Sequence, residues 1–339
     1  MPRLTTRLLS LLWTGADRTL AAPSARPGLR LSRMLFAKIL LIALALGGPS
    51  SLSIADSSET PVGDFIKASD IVTYGNARRL TLRSRVALMV DEREQTVLFD
   101  RQADRQRPIA SLTKLMTALV IAEAGLPLDE PIEVTRDDRD ILRGTRSRLR
   151  FGGIFTRGDL LQAALGASDN RAAAALARTF PRGTSAFIAT MNQKARALGM
   201  QHTTFADASG LDKRNVSTAR DLVLLMSAVR EFPLLRNMST TTDFSVRDLA
   251  SGREERFVNT NRFVRGRGWD IELSKTGYTT DAGYCLVMYT QIGSRPVTLV
   301  LLDSWGKLSK YGDANRLRDW LVQTEERVGR TVATRANSG

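Results

Sequence analysis

Pro108-Ile109-Ala110-Ser111-Leu112-Thr113-Lys114-Leu115-Met116 sets a hydroxyl and an amine three residues apart at the head of an apolar-rich run. The run ends at Gly125 and Pro127, which predicts a helix beginning at or just before Ser111. Positions i and i+3 share a helix face, so the Ser111 hydroxyl can meet the Lys114 amine. A neutral lysine there could take the serine proton, making a nucleophile–base couple. Ser-x-x-Lys alone is ordinary helix surface in most chains, so its weight rests on what accompanies it.

With 339 residues, the chain could hold one large domain or two ordinary ones. It is 43% hydrophobic and 25% charged, which suits a globular protein rather than a disordered one. One cysteine, Cys285, allows no internal disulfide and reads as a small buried apolar side chain. No Cys/His cluster suits a metal, and no cofactor is expected. The single histidine, His202, would have to serve any Ser-His-Asp triad, whereas a Ser-Lys design needs none. The formal net charge is +14, but Arg3, Arg7, Arg18, Arg26, Arg30, Arg33 and Lys38 against Asp17 place six of those charges within residues 1–55. The remainder, at +8, fits an anionic polymer or peripheral contact with a membrane surface. No zinc-finger, homeodomain or aromatic RNA-binding pattern accompanies it, so nucleic acid is not the expected partner.

Residues 34–47 form a short apolar run with a lysine near its start, and Ser53-Ile54-Ala55 supplies small residues for cleavage after Ala55. That is the layout of a secretory signal peptide, with Met34 an alternative start. The run is short for a membrane span, and an uncleaved anchor is the competing reading. Both readings export the rest of the chain to the periplasm. Residues 56–81 read as a linker entering a short helix. Arg85–Val90 and Gln95–Phe99 flank a charged turn as an antiparallel hairpin. After the Ser111 helix comes a basic segment, with Arg136, Arg139, Arg143, Arg146, Arg148, Arg150 and Arg157. It reads either as a solvated face or as a surface that steers acidic substrates.

Helices are expected from Asp159 to Gly166, Arg171 to Phe180, 184–199 and Ala219 to Arg230, so 111–260 is mostly helical. Ser168-Asp169-Asn170 falls in the turn between the first two. The period then changes. Ile271–Gly277 reads as a strand, Tyr284–Thr290 and Pro296–Leu302 as a hairpin, and Ala314 to Val328 as a last helix. Strands at both ends with helices between predict one α+β domain over 82–330, its antiparallel sheet formed from both chain ends around an inserted helical subdomain. Residues 331–339 read as a flexible tail.

Three elements now stand in order: Ser111-x-x-Lys114, Ser168-Asp169-Asn170 and Lys275-Thr276-Gly277. Together they resemble the serine penicillin-recognising enzymes, a group that includes class A β-lactamases and penicillin-binding proteins. Ala197–Met200, Phe205-Ala206-Asp207-Ala208-Ser209-Gly210-Leu211 and Asn259-Thr260-Asn261 look like the low-molecular-mass D-alanyl-D-alanine peptidases. The resemblance spans about residues 58–328. Ser168–Ala173, and Lys275–Tyr278 onward through Asp281-Ala282-Gly283, look closest to the endopeptidase type. The residues after Gly277 suffice for a closing hairpin and helix, whereas the carboxypeptidase type usually adds a β-rich domain and an amphipathic membrane helix. A β-lactamase is less consistent, because no Glu-x-x-x-Asn pattern lies between Ser168 and Lys275 to supply a deacylating base.

The resemblance implies a β-lactamase/DD-peptidase-like fold and a serine D,D-endopeptidase acting on peptidoglycan stem peptides, with β-lactams as covalent inhibitors. Ser111 would be the nucleophile and Lys114 its base, with burial beside a second cation such as Lys275 lowering the Lys114 pKa. Ser168 would relay a proton to the leaving amine, and Asn170 would hold the substrate's backbone amide. Lys275 and Thr276 would bind a carboxylate, and Gly277 would leave room for substrate along the strand. The N–H groups of Ser111 and Tyr278 would form the oxyanion hole. A carboxypeptidase and a non-catalytic, penicillin-binding wall scaffold or sensor remain the alternatives. Plainer readings also exist: Ser168 and Asn170 as caps of the following helix, and Lys275 as an edge-strand lysine.

Overall fold

The computed structural model describes residues 66–336. The expected leader at 1–55, the linker up to 65 and residues 337–339 lie outside the described residues. The chain enters through α1 (Ala68–Tyr74) and the hairpin of β1 (Ser84–Asp91) and β2 (Thr96–Arg101). The hairpin turns where the Asp91 carboxylate accepts the N–H groups of Arg93 at 2.7 Å and Glu94 at 3.0 Å, an Asx turn. The short β3 (Arg107–Pro108) leads to a 3₁₀ turn at Ala110–Leu112 and then to α2 (Thr113–Glu123).

A basic loop bounded by β4 (Pro131–Glu133) and β5 (Ile154–Thr156) precedes four helices: α3 (Arg157–Gly166), α4 (Asn170–Arg178), α5 (Gly183–Ala197) and, after β6 (Val216–Ser217), α6 (Ala219–Arg230). Next come α7 (Pro233–Thr240), the hairpin β7 (Asp243–Arg247) with β8 (Glu254–Val258), and α8 (Arg262–Arg265). The chain closes with β9 (Asp270–Thr279), β10 (Gly283–Ile292), β11 (Arg295–Ser304) and α9 (Ser309–Ala336).

The main sheet runs β2-β1-β11-β10-β9, so strands from both ends of the domain meet at the β1–β11 pair, as the sequence predicts. That pair is antiparallel, with Val86 opposite Leu302 and Leu88 opposite Val300. The central strands are buried on both faces, which explains their nearly unbroken apolar runs. Val86, Leu88, Val287, Val300 and Leu302 face a core shared with the inserted helices. Ala87, Met89, Leu286, Met288 and Leu299 alternate to the other face, against α1 and the Leu317, Trp320 and Leu321 stripe of α9. The sheet is therefore the middle of three layers.

Helix α2 is the centre of the inserted subdomain. Every residue from Thr113 to Ile121 is buried, so it has no solvent face, and its apolar residues surround it instead of forming one stripe. Local structure departs from the sequence expectation in three places. Helix α3 begins at Arg157, because Thr156 is its cap and accepts the Asp159 N–H at 3.0 Å. The segment before 260, expected to be mostly helical, contains the β7–β8 hairpin. Its Phe244/Val246 alternation stacks Phe244 on Phe257 with ring centroids 5.5 Å apart. Helix α9 starts at Ser309 and continues to Ala336, into the stretch expected to be a tail. Among the described residues, no helix is long and apolar enough to cross a membrane.

The α9 layer is tied to β1 by one fully buried carboxylate. Asp313 accepts from the N–H groups of Arg83 at 2.9 Å and Ser84 at 2.6 Å, and from the Ser84 hydroxyl at 2.6 Å. Asp313→Ala strands those donors, and an expected loss of about 2–4 kcal/mol should appear as a lower urea midpoint with an unchanged slope. Wild-type stability in that variant would show that the tie carries no net energy.

Candidate active site

Ser111 lies in the 3₁₀ turn that opens α2, and Lys114 sits in the first turn of the helix proper. The two meet as the spacing predicts, with Lys114 Nζ 3.1 Å from Ser111 Oγ. Ser111 is half-buried, whereas Lys114 is 0% exposed. Two further oxygens, Asn170 Oδ1 and the Ser209 carbonyl, accept from Lys114 Nζ, each at 2.6 Å. Burial lowers the Lys114 pKa to about 8, with Asp207, Asp169 and Asp140 pulling it back up. Of the expected burial beside a second cation, burial is what lowers the Lys114 pKa, and the charges that act on it are carboxylates.

The cation effect falls on Lys275. Burial, then Lys114 and Lys310, hold its pKa well below the usual lysine range. Lys275 is on the edge strand β9, yet it is only 2% exposed, so it does not act as a solvated edge guard. Its Nζ donates to Ser168 Oγ at 2.9 Å and to the Thr276 carbonyl at 3.0 Å. The Thr276 hydroxyl donates to Thr260 Oγ1 at 2.8 Å, which gives the Asn259-Thr260-Asn261 run a contact with the motif. Tyr278 is half-exposed and stacks on Tyr284, ring centroids 4.1 Å apart.

The turn before α4 separates capping from chemistry. Asp169 is the cap, accepting the Ala172 N–H at 2.9 Å, so the reading of Ser168 and Asn170 as caps does not hold. Burial pushes the Asp169 carboxyl up, opposed by the Ala172 N–H and the Ser147 hydroxyl. Ser168 sits in the left-handed region at φ +62°, as does Ala110, next to Ser111, at φ +48°. Such non-glycine positions cost roughly 1–3 kcal/mol and persist only where surroundings impose them. Asn170, expected to hold substrate, accepts from Lys114 at Oδ1 and donates one of its two Nδ2 hydrogens to Thr145 Oγ1 at 2.9 Å.

Close backbone approaches explain two glycines. A Cβ on Gly277 would sit 3.0 Å from the Ile109 carbonyl oxygen and 3.1 Å from the Ser111 nitrogen. The missing side chain therefore lets β9 lie directly against the Ser111 turn. Gly210, at φ +85°, would place a Cβ 1.9 Å from the Ala110 carbonyl oxygen, so no other residue fits behind the turn.

The loop 205–212 is held by the Asp207 carboxylate, which gathers the Ser209 N–H at 2.6 Å, the Ser209 hydroxyl at 2.9 Å and the Asp212 N–H at 2.6 Å. Its Ala208 carbonyl also accepts the Thr117 hydroxyl at 2.6 Å. Ser209, Asp207, Thr145 and Lys310 carry no role in the sequence reading. Ser209 acts through its carbonyl, which no side-chain pattern reveals. Lys310 is buried between the Tyr284 and Tyr311 rings, 4.9 and 5.2 Å from their centroids, and burial lowers its pKa to about 8. Cys285 is opposite Gly277 and buried, its thiol pushed up to about 11. His202 is exposed, its main chain bonded to Gln106 and Asp221. The arginine segment divides: Arg157 is buried against Glu130 at 2.6 Å, while Arg139, Arg146, Arg148 and Arg150 are exposed.

A serine hydroxyl beside a desolvated amine, next to a second buried lysine on an adjoining strand edge, is equipped for acyl transfer through the serine. Comparison with known proteins agrees. The D-alanyl-D-alanine carboxypeptidase family (peptidase family S11) matches residues 73–306. The D-alanyl-D-alanine endopeptidase of Pseudomonas aeruginosa is 44% identical over 260 residues, covering 77% of this chain and 84% of the relative. That of Escherichia coli is 44% identical over 239 residues, covering 69% and 76%. Among solved structures, ampicillin-bound penicillin-binding protein D2 of Listeria monocytogenes matches with a TM-score of 0.62 at 30% identity, over 72% of this chain and 99% of that one. By sequence, by fold and by the arrangement of its three motifs, the chain belongs to the D-alanyl-D-alanine carboxypeptidase family of serine peptidases.

Proposed function

We propose that the protein is an exported serine D,D-endopeptidase that cuts D-alanine cross-links in peptidoglycan and is acylated by β-lactams. The observation that carries this reading is the buried Lys114 amine, depressed to about 8 and 3.1 Å from the Ser111 hydroxyl. Two relatives at 44% identity bear the endopeptidase name, which favours cross-link cleavage over carboxypeptidase trimming. Export to the periplasm is supported by the apolar run at 34–47 and the small residues before Asp56.

Ser111 Oγ attacks the carbonyl carbon of the D-Ala amide as Lys114 removes its proton. The oxyanion is met by the N–H groups of Ser111 and Tyr278. Collapse breaks the C–N bond, and the proton returns to the leaving amine through Ser168, which Lys275 holds at 2.9 Å. Water then attacks the acyl-serine ester by the reverse route, releasing the acid and free Ser111. Lys275 and Thr276 bind a carboxylate of the substrate, and the incoming anion draws the depressed Lys275 back to its charged form.

Three measurements test the proposal. The purified protein lacking the leader, with Ser111→Ala as control, is incubated with a cross-linked muropeptide dimer and with a pentapeptide monomer, and products are followed by mass spectrometry. Dimer cleavage with pentapeptide largely untouched is expected. Release of D-Ala from pentapeptide alone would make the enzyme a carboxypeptidase, and no reaction with either would favour a scaffold or sensor.

The second-order rate of acylation by a β-lactam should rise with pH up to about 8, close to tenfold per unit at its steepest, as Lys114 loses its proton. A flat profile over that range would remove Lys114 as the base. Finally, reversing the exposed Arg146 and Arg148 to glutamate should weaken binding to sacculi and raise KM at low salt, with the difference fading at high salt. Unchanged activity and sacculus binding at low salt would return these arginines to an ordinary solvated face.

A further inference from the structure

The loop between β4 and β5 carries a chain of hydrogen bonds that ends at Lys114. Thr145 Oγ1 donates to Asp140 Oδ2 at 2.6 Å and accepts from Asn170 Nδ2 at 2.9 Å. Asn170 Oδ1 in turn accepts from Lys114 Nζ at 2.6 Å. Chemistry fixes the direction of each bond. Partial burial pushes the Asp140 carboxyl up, but the Thr145 hydroxyl and the N–H groups of Arg143, Thr145 and Leu142 outweigh it and hold Asp140 below the usual carboxylate range. An ionised carboxylate only accepts, so it commits the Thr145 proton and leaves Thr145 only lone pairs to offer. Asn170 must then turn its NH₂ to Thr145 and its carbonyl to Lys114.

That orientation decides where the lysine lone pair points. A neutral amine has two N–H bonds and one lone pair. The Asn170 and Ser209 oxygens, each 2.6 Å away, can only accept, so they take both N–H bonds. The remaining direction, towards Ser111 Oγ at 3.1 Å, is left to the lone pair. An Asn170 amide turned the other way would present N–H to N–H and release a Lys114 hydrogen towards the serine.

We propose that Asp140 and Thr145 are positioning residues for acyl transfer, locking the Asn170 amide so that the Lys114 lone pair faces Ser111. This rests on the Ser111–Lys114 reading above. The loop that bears them is itself anchored beside the site. Arg143, between the two residues, donates to the Leu211 carbonyl at 2.8 Å and to Thr280 Oγ1 at 3.1 Å, and it pairs with Asp281.

The test compares acylation by a chromogenic cephalosporin in the wild type, Thr145→Val, Thr145→Ser and Asp140→Asn, from about pH 6 to 10. Thr145→Val keeps the shape and removes the hydroxyl, and it leaves Asp140, Asp169 and Asp207, the charges that act on Lys114, in place. Its plateau rate is expected to fall by about tenfold or more. Its rising limb should also move to lower pH, because protonated Lys114 has lost an acceptor. Thr145→Ser should stay within about threefold of wild type. Asp140→Asn, whose amide can donate to Thr145 and free the Thr145 proton, should lose plateau rate as Thr145→Val does.

A wild-type rate in Thr145→Val overturns the proposal. So does an equal loss in Thr145→Val and Thr145→Ser with an unmoved limb, the mark of simple packing. Should Thr145→Val fail to fold, the contrast between Asp140→Asn and Thr145→Ser decides by the same criterion. A wild-type protein that is not acylated at all removes the Ser111–Lys114 reading itself, and this inference with it.

Discussion

An amine with no solvent exposure, on a helix buried on every side, is the constraint around which this molecule is arranged. Burying an ammonium without a carboxylate in contact is costly unless oxygen dipoles replace water. Here the dipoles come from Asn170 at the head of α4 and the Ser209 carbonyl in the loop before α6. Each must arrive within hydrogen-bond distance of one nitrogen, so the relative placement of α2, α4 and that loop is specified by a polar group. Apolar packing alone would tolerate sliding among these elements; an unsatisfied lysine would not.

The same constraint explains the strain and the glycines. For the 205–212 loop to reach Lys114, its backbone must pass directly behind Ala110, which excludes any side chain at Gly210. For β9 to bring Lys275 alongside, it must lie against the Ile109–Ser111 turn, which excludes one at Gly277. Ala110 and Ser168 adopt left-handed backbone where these segments converge. Strain at a site persists only where the surroundings over-determine it, and two segments closing on one turn provide that at Ala110.

Much of this was legible in the sequence, for physical reasons that differ by element. The sheet strands read clearly because burial on both faces leaves long β-branched and aliphatic runs, as in Val297–Leu302. Ser111 and Lys114 were legible because both lie on one turn, where spacing alone sets distance. Their meeting with Ser168 and Lys275 rested on resemblance, since periodicity says nothing about contacts between segments 107 residues apart.

The β7–β8 hairpin was missed although Phe244 and Val246 alternate with polar neighbours, because the strand is short and charged at both ends. The groups that orient Lys114 were the least legible. A backbone carbonyl carries no sequence mark, and Asp140 and Thr145 sit in an arginine-rich loop whose charge dominates any reading of it.

The sheet's topology also sets when the enzyme can exist. β1 forms early in the chain, but its partner β11 lies more than 200 residues later, at Arg295–Ser304. Loop closure of that length makes the central pairing a late event, ordered by chain completion rather than local preference. Lys275 belongs to β9, which reaches β1 only through β10 and β11. A nascent chain that has already made Ser111 and Lys114 therefore has no strand to bring the second lysine to them. The four side chains Ser111, Lys114, Ser168 and Lys275 come together only once the last strands of the chain have paired.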